Sequence, residues 1–358
     1  MSASSAVGAK SAKYIPAIDG MRAIAILIVV TSHLVMDVII PGGLGVTLFF
    51  FISGYLITGL LIDEYETSGA IDIKYFYVRR FMRLAPALLT MVAVVSLTYF
   101  VVFGVTSIKE TLAAVFYFMN YYQIMQGAMP IPLGPLWSLA IEEHFYLVFP
   151  LVIALAWRFR EKLFVSLIVV CVLVLVWRTI LVAGGAHDLR TYTGTDTRID
   201  SIVYGALLSI GIRLKLQLDW LTSRYALIAG IALLLASLVI RNPVFRETVR
   251  YSLQGIAFIP LFYYAISADS LVKHALQNPV AIWIGKLSYS LYLWHFPVLV
   301  FVKTEFPAGD PVILGLLVAA LSLLCAAISY YFVETPLRLR SGAHPAQSSL
   351  REETKPAA

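Results

Sequence analysis

Long apolar runs separated by short polar clusters make up most of this chain. An α-helix needs about 17–25 predominantly apolar residues to cross a bilayer. Ten such segments are predicted, near residues 22–40, 44–63, 82–104, 139–157, 163–183, 198–213, 224–240, 252–268, 287–303 and 311–333. A further aromatic run at 111–122 is too short to span and is interpreted as interfacial or re-entrant. The pattern therefore predicts an all-α, polytopic integral membrane protein with about ten transmembrane helices.

Composition and charge agree with a membrane protein. The chain is 60% hydrophobic and only 13% charged, whereas a soluble domain has roughly 45–50% apolar and about 25% charged residues. Its basic residues fall in short clusters between apolar runs, which indicates contact with membrane lipid and no nucleic-acid partner. With the N-terminus inside, 19 of the 27 Lys and Arg residues fall on the cytoplasmic side. This bias predicts that both termini are cytoplasmic.

The two ends of the chain are polar and lack long apolar runs. We expect a cytoplasmic N-terminal segment at 1–13, a membrane domain at 14–340 and a disordered cytoplasmic tail at 341–358. No apolar stretch precedes residue 22, so the first span is expected to act as the targeting signal.

Arg22 and His33 lie in the first apolar segment, eleven positions apart. On an α-helix this separation is about 16 Å of rise and ends ~20° past three full turns, so both side chains share one face. Ionisable residues inside a membrane segment are costly and indicate a functional site. Two alternatives stay open: Arg22 extends to the interface, and His33 bonds a neighbouring carbonyl group.

A basic cluster precedes the third segment. Arg79, Arg80 and Arg83 stand in YFYVRRFMRLAPAL, where Arg80 and Arg83 share a face if the stretch is helical. Guanidinium groups suit phosphate binding. The alternative is ordinary anchoring at the cytoplasmic interface or contact with anionic lipid.

Small residues interrupt the aromatic run of the second segment. Ser53 and Gly54 would let a ligand or another backbone approach closely, and helix–helix packing is the alternative explanation.

Two adjacent carboxylates, Glu142 and Glu143, lie near the outer end of a predicted span. Such groups need partners or an aqueous cavity. One could pair with Arg178 or Arg198 as structure, or a carboxylate could orient and polarise His33, as the acid of a hydrolytic triad does.

Two further motifs carry polar residues into predicted spans. Arg198 and Asp200 open one span, where a structural ion pair is the simpler interpretation. His295 follows Trp294 in SYSLYLWH and is either packed and hydrogen-bonded or catalytic.

Taken in order, these motifs resemble the acyltransferase-3 family of multi-span membrane acyltransferases. The resemblance runs from about Tyr14 to Arg340. Its elements are Arg22 and His33, Gly42-Gly43, FFFISGYLI at 49–57, Arg80-x-x-Arg83, WSLAIEEHFY at 137–146, RID at 198–200, SYSLYLWH at 288–295 and VETP at 333–336. This chain has His144 where the family often has glutamine.

The resemblance implies transfer of an acyl group, commonly acetyl from acetyl-CoA, to a hydroxyl of a glycan or another cell-envelope molecule. It implies a location in the bacterial cell membrane. In this family the equivalents of His33, Arg22, Arg80 and Arg83 are tied to activity. Some members also carry a C-terminal extracytoplasmic esterase-like domain, which this sequence does not include, so we expect it to complete transfer alone or to hand over to a separate protein.

These observations give a hypothesis for each candidate residue. We expect catalysis from His33, Glu142 and Glu143, acyl-CoA binding from Arg22, Arg80, Arg83 and Ser53, and support from Arg198, Asp200 and His295. His33 would act as general base or carry the acyl group covalently. No metal and no bound cofactor are expected, because acyl-CoA is a donor substrate. The alternative from another class is a transporter or exporter whose buried charges form a substrate path.

Overall fold

Helices account for most of the described residues in this computed structural model, which describes residues 14–34, 41–127 and 129–340. No strand occurs among those residues. In chain order the helices are α1 (Pro16–Leu34), α2 (Gly43–Ser68), α3 (Ile73–Phe103), α4 (Ile108–Val115), α5 (Met119–Gln126), α6 (Trp137–Ala156), α7 (Arg160–Ala183), α8 (Asp188–Thr193), α9 (Thr195–Arg213), α10 (Arg224–Val239), α11 (Pro243–Glu247), α12 (Val249–Ser267), α13 (Leu271–Leu276), α14 (Pro279–Glu305), α15 (Pro311–Ile328) and α16 (Thr335–Arg340).

Each of the ten predicted segments overlaps a helix. The third helix begins nine residues before the predicted start at 82, because Asp72 caps it by accepting a hydrogen bond from the Tyr75 amide at 2.8 Å. The aromatic run at 111–122 forms parts of the short helices α4 and α5. The predicted flanking segments 1–13 and 341–358, and the end of the first predicted span at 35–40, lie outside the described residues.

Five helical stretches of the described chain are long and apolar enough to cross a membrane. They are Pro16–Leu34, Gly43–Ser68, Ile73–Phe103, Gly134–Ala183 and Pro311–Leu337. The stretch Gly134–Ala183 contains both α6 and α7. The all-helical architecture is therefore confirmed for the described residues, whereas the number of ten crossings stays a prediction.

The described chain divides into two compact units. The first unit contains residues 14–25, 43–71 and 141–286, and the second contains the remaining described residues. Helices α1, α6 and α14 each contribute residues to both units.

In the first unit, α2 and α9 pack with their backbones close together. A Cβ atom on Gly54 would collide with the carbonyl group of Ile202, and one on Gly205 would collide with the carbonyl group of Phe51. Small residues at a helix interface allow this close approach and the van der Waals packing that holds membrane helices together.

In the second unit, the apolar face of α3 forms the core. Leu88 and Met91 of α3 pack with Leu133 and Leu136 of the segment before α6 and with Leu293 of α14. A smaller cluster joins α14 to α15.

Candidate functional site

Arg22 and His33 occupy the same continuous helix, α1. Their separation of eleven residues corresponds to about 16 Å along the helix axis. Both side chains are half-buried. Arg22 belongs to the first unit and His33 to the second.

His33 forms a hydrogen-bonded pair with His295 of α14. The distance from His33 Nδ1 to His295 Nε2 is 3.0 Å. The two ring planes are nearly parallel, with an interplanar angle of 17° and centroids 5.2 Å apart. Phe296 makes a T-shaped contact with His33, with the two ring centroids 5.3 Å apart. The second unit thus joins two histidines that are 262 positions apart in the sequence.

His295 is fixed by its own helix. Its side chain is 1% exposed, and its Nδ1 lies 2.7 Å from the Tyr292 carbonyl oxygen and 3.1 Å from that of Leu291. Pro297 lies inside α14 and has no backbone N–H, so the carbonyl of Leu293 receives no amide bond from it. The ring of His295 therefore lies at an interrupted turn of the helix, with its Nε2 directed at His33 Nδ1.

The same turn of α14 is held from the side by Tyr292. Its hydroxyl donates to the Pro135 carbonyl oxygen at 2.8 Å. The Ser138 hydroxyl lies 2.6 Å from the same phenol oxygen. The Ser138 hydroxyl also donates to the Pro135 carbonyl oxygen, at 3.4 Å, so the two hydroxyls and this carbonyl form one small network. This bracing connects the start of α6 to the segment that carries His295.

A polar bond links two of the motifs singled out in the sequence. Ser290, in SYSLYLWH, donates to Glu334 Oε2 at 3.1 Å, and Glu334 belongs to VETP. Both side chains are buried. The carboxylate at the end of the π-helical turn Ser329–Glu334 thus connects that turn to α14.

Arg80 and Arg83 lie on α3, less than one helical turn apart, and both are half-buried. The prediction that this stretch is helical is confirmed. The neighbouring Arg79 is more exposed, and its guanidinium lies 4.1 Å from the centroid of the Tyr75 ring. Arg80 and Arg83 belong to the second unit, as His33 does.

Glu142, Glu143 and His144 lie on the part of α6 that belongs to the first unit. Glu142 accepts a hydrogen bond from the Tyr146 hydroxyl at 3.1 Å. His144 Nδ1 lies 2.7 Å from the Thr195 hydroxyl, which gives this imidazole a partner in α9. The predicted contact of either carboxylate with His33 stays a prediction.

A buried ion pair lies at the RID motif. Asp200 pairs with Arg178 of α7, at 3.0 Å between Oδ2 and Nη2, and both side chains are fully buried. Ser252 bonds both partners, at 2.6 Å to Arg178 and 2.8 Å to Asp200. The ion pair at this motif therefore joins Asp200 of α9 to a partner on another helix.

Arg198 faces a different set of groups. Its guanidinium donates to Thr47 Oγ1 at 3.0 Å and to the Tyr192 carbonyl oxygen at 3.3 Å. It also lies 3.9 Å from the centroid of the Tyr251 ring, a cation–π geometry. This arrangement ties α9 to α2 and α12 inside the first unit.

Ser53 and Gly54 differ in their surroundings on α2. Gly54 lies against the backbone of α9, which supports the helix-packing interpretation at that position. Ser53 is half-buried on α2. Among the described residues, no group of three or more His, Cys, Asp or Glu side chains could hold a metal ion.

Comparison with known proteins decides the family. The family model described as "Acyltransferase domain", Acyl_transf_3, matches residues 15–331. The chain belongs to the acyltransferase-3 family.

Several relatives extend this assignment of the acyltransferase-3 chain. It is 37% identical over 354 residues to the O-acetyltransferase OatA of Staphylococcus aureus strains NCTC 8325 / PS 47, COL and MRSA252. The alignment covers 92% of this chain and 58% of each relative, so the chain spans less than two thirds of their length. No solved structure matches the chain at a significant level. Family membership and the apolar helices together identify a membrane protein.

Within this acyltransferase-3 chain, sequence reasoning missed Tyr292 and Ser138. Both lie inside motifs that the resemblance used, SYSLYLWH and WSLAIEEHFY. The spacing of Tyr292 three positions before His295 could have indicated Tyr292 as a neighbour of the histidine, because residues three apart are adjacent on a helix surface.

Proposed function

We propose that this chain is a membrane acyltransferase that moves an acyl group, acetyl from acetyl-CoA, to a hydroxyl of a cell-surface or lipid-linked glycan. The observation that carries the proposal is the His33–His295 pair in a chain of the acyltransferase-3 family. The name of these relatives, O-acetyltransferase, supports acetyl as the group and oxygen as the acceptor atom.

His33 is the proposed catalytic residue. As general base it takes the proton of the acceptor hydroxyl while the oxygen attacks the thioester carbonyl carbon. The new C–O bond forms, the C–S bond breaks, and the proton passes from His33 to the departing CoA sulfur. The products are the ester and free CoA, so His33 returns to its starting protonation state.

Arg80 and Arg83 are the proposed donor-binding residues. Two guanidinium groups on neighbouring positions of α3 suit the phosphates of CoA, because each offers several N–H donors in a planar fork. Arg22 precedes His33 on α1 by about 16 Å, a distance that the extended pantetheine arm of CoA is suited to cover. Ser53 is proposed as a further donor contact.

Glu142 and Glu143 are proposed as further catalytic carboxylates, and Arg198 and Asp200 as residues that support the fold. The fully buried position of the Arg178–Asp200 pair supports a structural role for Asp200. The bias of 19 basic residues against 8 supports a cell-membrane location with both termini in the cytoplasm.

Mass spectrometry of envelope glycans tests the proposal directly. Glycans from a strain with the gene, a deletion strain and a deletion strain carrying the gene on a plasmid are compared. The proposal predicts that one acetyl increment disappears on deletion and returns with the plasmid. An unchanged acylation pattern, with an unacylated precursor accumulating in the cytoplasm of the deletion strain, would instead favour an exporter.

A further inference from the structure

We infer that His295 is a positioning residue that fixes the tautomer of His33, so that His33 Nε2 is the nitrogen that gains and loses the proton during transfer. The catalytic half of this inference, the transfer of the proton at His33 Nε2, rests on the proposed function. Its structural half, the direction of the hydrogen bond between the two rings, stands on the geometry alone.

The direction follows from the groups around His295. Its Nδ1 faces the carbonyl oxygens of Tyr292 and Leu291 at 2.7 and 3.1 Å. A carbonyl oxygen accepts and never donates, so Nδ1 carries the hydrogen. A neutral imidazole has one N–H and one lone pair, which places the lone pair of His295 on Nε2. The only way to make the 3.0 Å bond is then for His33 Nδ1 to donate to it.

Burial supports the neutral form of His295. The side chain is 1% exposed, and it faces two backbone carbonyls, the His33 ring and the Tyr292 and Phe296 rings. A cation in such a place costs considerable free energy unless an anion pairs with it. A charged His295 would donate from both nitrogens and would force His33 Nδ1 to accept. His33 would then hold its hydrogen on Nε2, the wrong nitrogen for a base.

The arrangement also serves the charged state of His33. When Nε2 takes a proton, the ring becomes a cation and its existing Nδ1–H···Nε2 bond becomes charge-assisted and stronger. The ring need not turn, because the same partner serves both states. In a hydrolytic triad a carboxylate holds the histidine tautomer in this way. Here a neutral imidazole does so, with Tyr292 and Ser138 bracing the turn of helix that carries it.

Nitrogen NMR of the full chain in lipid bilayers tests the hydrogen-bond direction without any turnover. Histidines are labelled with ¹⁵N, and the His33 and His295 signals are assigned from the spectra of His33→Gln and His295→Gln. The inference predicts a hydrogen on His33 Nδ1 in every protonation state of the ring. It also predicts a bare Nε2 on His295. A bare His33 Nδ1 or a protonated His295 Nε2 would overturn it.

Kinetics of matched variants test the positioning role. His295→Gln keeps an oxygen acceptor for His33, whereas His295→Met has a similar size and no strong acceptor. With acetyl-CoA and envelope glycans from the deletion strain, we expect His295→Met to lower kcat about 100-fold, within the range of general-base catalysis. The KM for acetyl-CoA should stay unchanged. The kcat of His295→Gln should be about tenfold higher than that of His295→Met, or more.

Ser288→Ala is the control. Ser288 lies on the same helix, is fully buried, and its hydroxyl has no hydrogen-bond partner among the described residues, so its loss should leave kcat unchanged. Equal kcat for His295→Met and the wild type would overturn the inference, as would equal losses for the Met and Gln variants. Failure of the proposed function is distinguishable, because it appears as no acetyl transfer by the wild type while the NMR result stands.

Discussion

Removal of Asp200 should destabilise the first unit more than any exposed charge substitution. The carboxylate accepts two hydrogen bonds from Arg178, at 3.0 and 3.2 Å, and one from Ser252 at 2.8 Å, with all three side chains buried. Asp200→Ala would leave the Arg178 guanidinium in the interior without its anion. Breaking a buried pair in this way costs about 3–5 kcal/mol.

Thermal unfolding of the purified protein in detergent measures this loss, and α9 itself offers a matched control. Asp196 pairs with Arg190, but these side chains are 38% and 23% exposed. Asp196→Ala removes a bidentate contact with Arg190 and a hydrogen bond from Trp177, but it should cost less than Asp200→Ala because water can solvate the exposed partners. A double variant in which Arg178→Met accompanies Asp200→Ala should recover part of the loss, because no unpaired charge remains.

Two results would refute this account of the buried pair. One is an Asp200→Ala protein that unfolds at the same temperature as Asp196→Ala. The other is a double variant that is less stable than Asp200→Ala alone, which would mean that Arg178 stabilises the fold without its carboxylate partner.

Three further predictions follow from the packing, the buried acid of α4 and the basic residues of α3. Gly54→Ala should reduce the yield of folded protein, because the new Cβ would collide with the backbone of α9. Gly315→Ala is the control: no atom lies within 4 Å of its Cβ position, so it should be neutral or slightly stabilising. Size-exclusion chromatography of the two variants measures the difference in folded protein. Burial raises the pKa of Glu110 from 4.5 to about 7, so the folded state binds the extra proton and stability should fall by about 3 kcal/mol as pH rises from below 4.5 to above 7. Thermal unfolding at pH 5 and pH 8 checks this, and the fall should be absent in Glu110→Gln. Arg80→Ala and Arg83→Ala should each weaken acetyl-CoA binding about tenfold or more, from the loss of charge-assisted hydrogen bonds; unchanged affinity by calorimetry would indicate lipid anchoring instead.

The helices were predictable from the sequence because a membrane segment must be long and apolar. Their ends were less so, since the start of α3 depends on the cap at Asp72, a local hydrogen bond that hydropathy does not detect. The close packing of α2 on α9 was only one of two interpretations of Gly54. It required the position of Gly205, which lies far away in the sequence.

Individual candidate residues of the site were predictable, but their pairing was not. His33 and His295 each stood out as an imidazole in an apolar run, yet 262 positions separate them and no local pattern joins them. The partner of Asp200 was missed for the same reason. Arg178 comes from another helix, and in the sequence it was considered only as a partner for Glu142 or Glu143.

The most direct test of the proposed function is acetyl transfer by the full chain in proteoliposomes, with and without His33. Labelled acetyl-CoA is supplied with envelope glycans from the deletion strain, and binding of acetyl-CoA to each protein shows that the variant is folded. The account predicts that the wild type labels the glycan, and that His33→Ala binds acetyl-CoA with the same affinity but transfers no label. Full transfer by His33→Ala would contradict it.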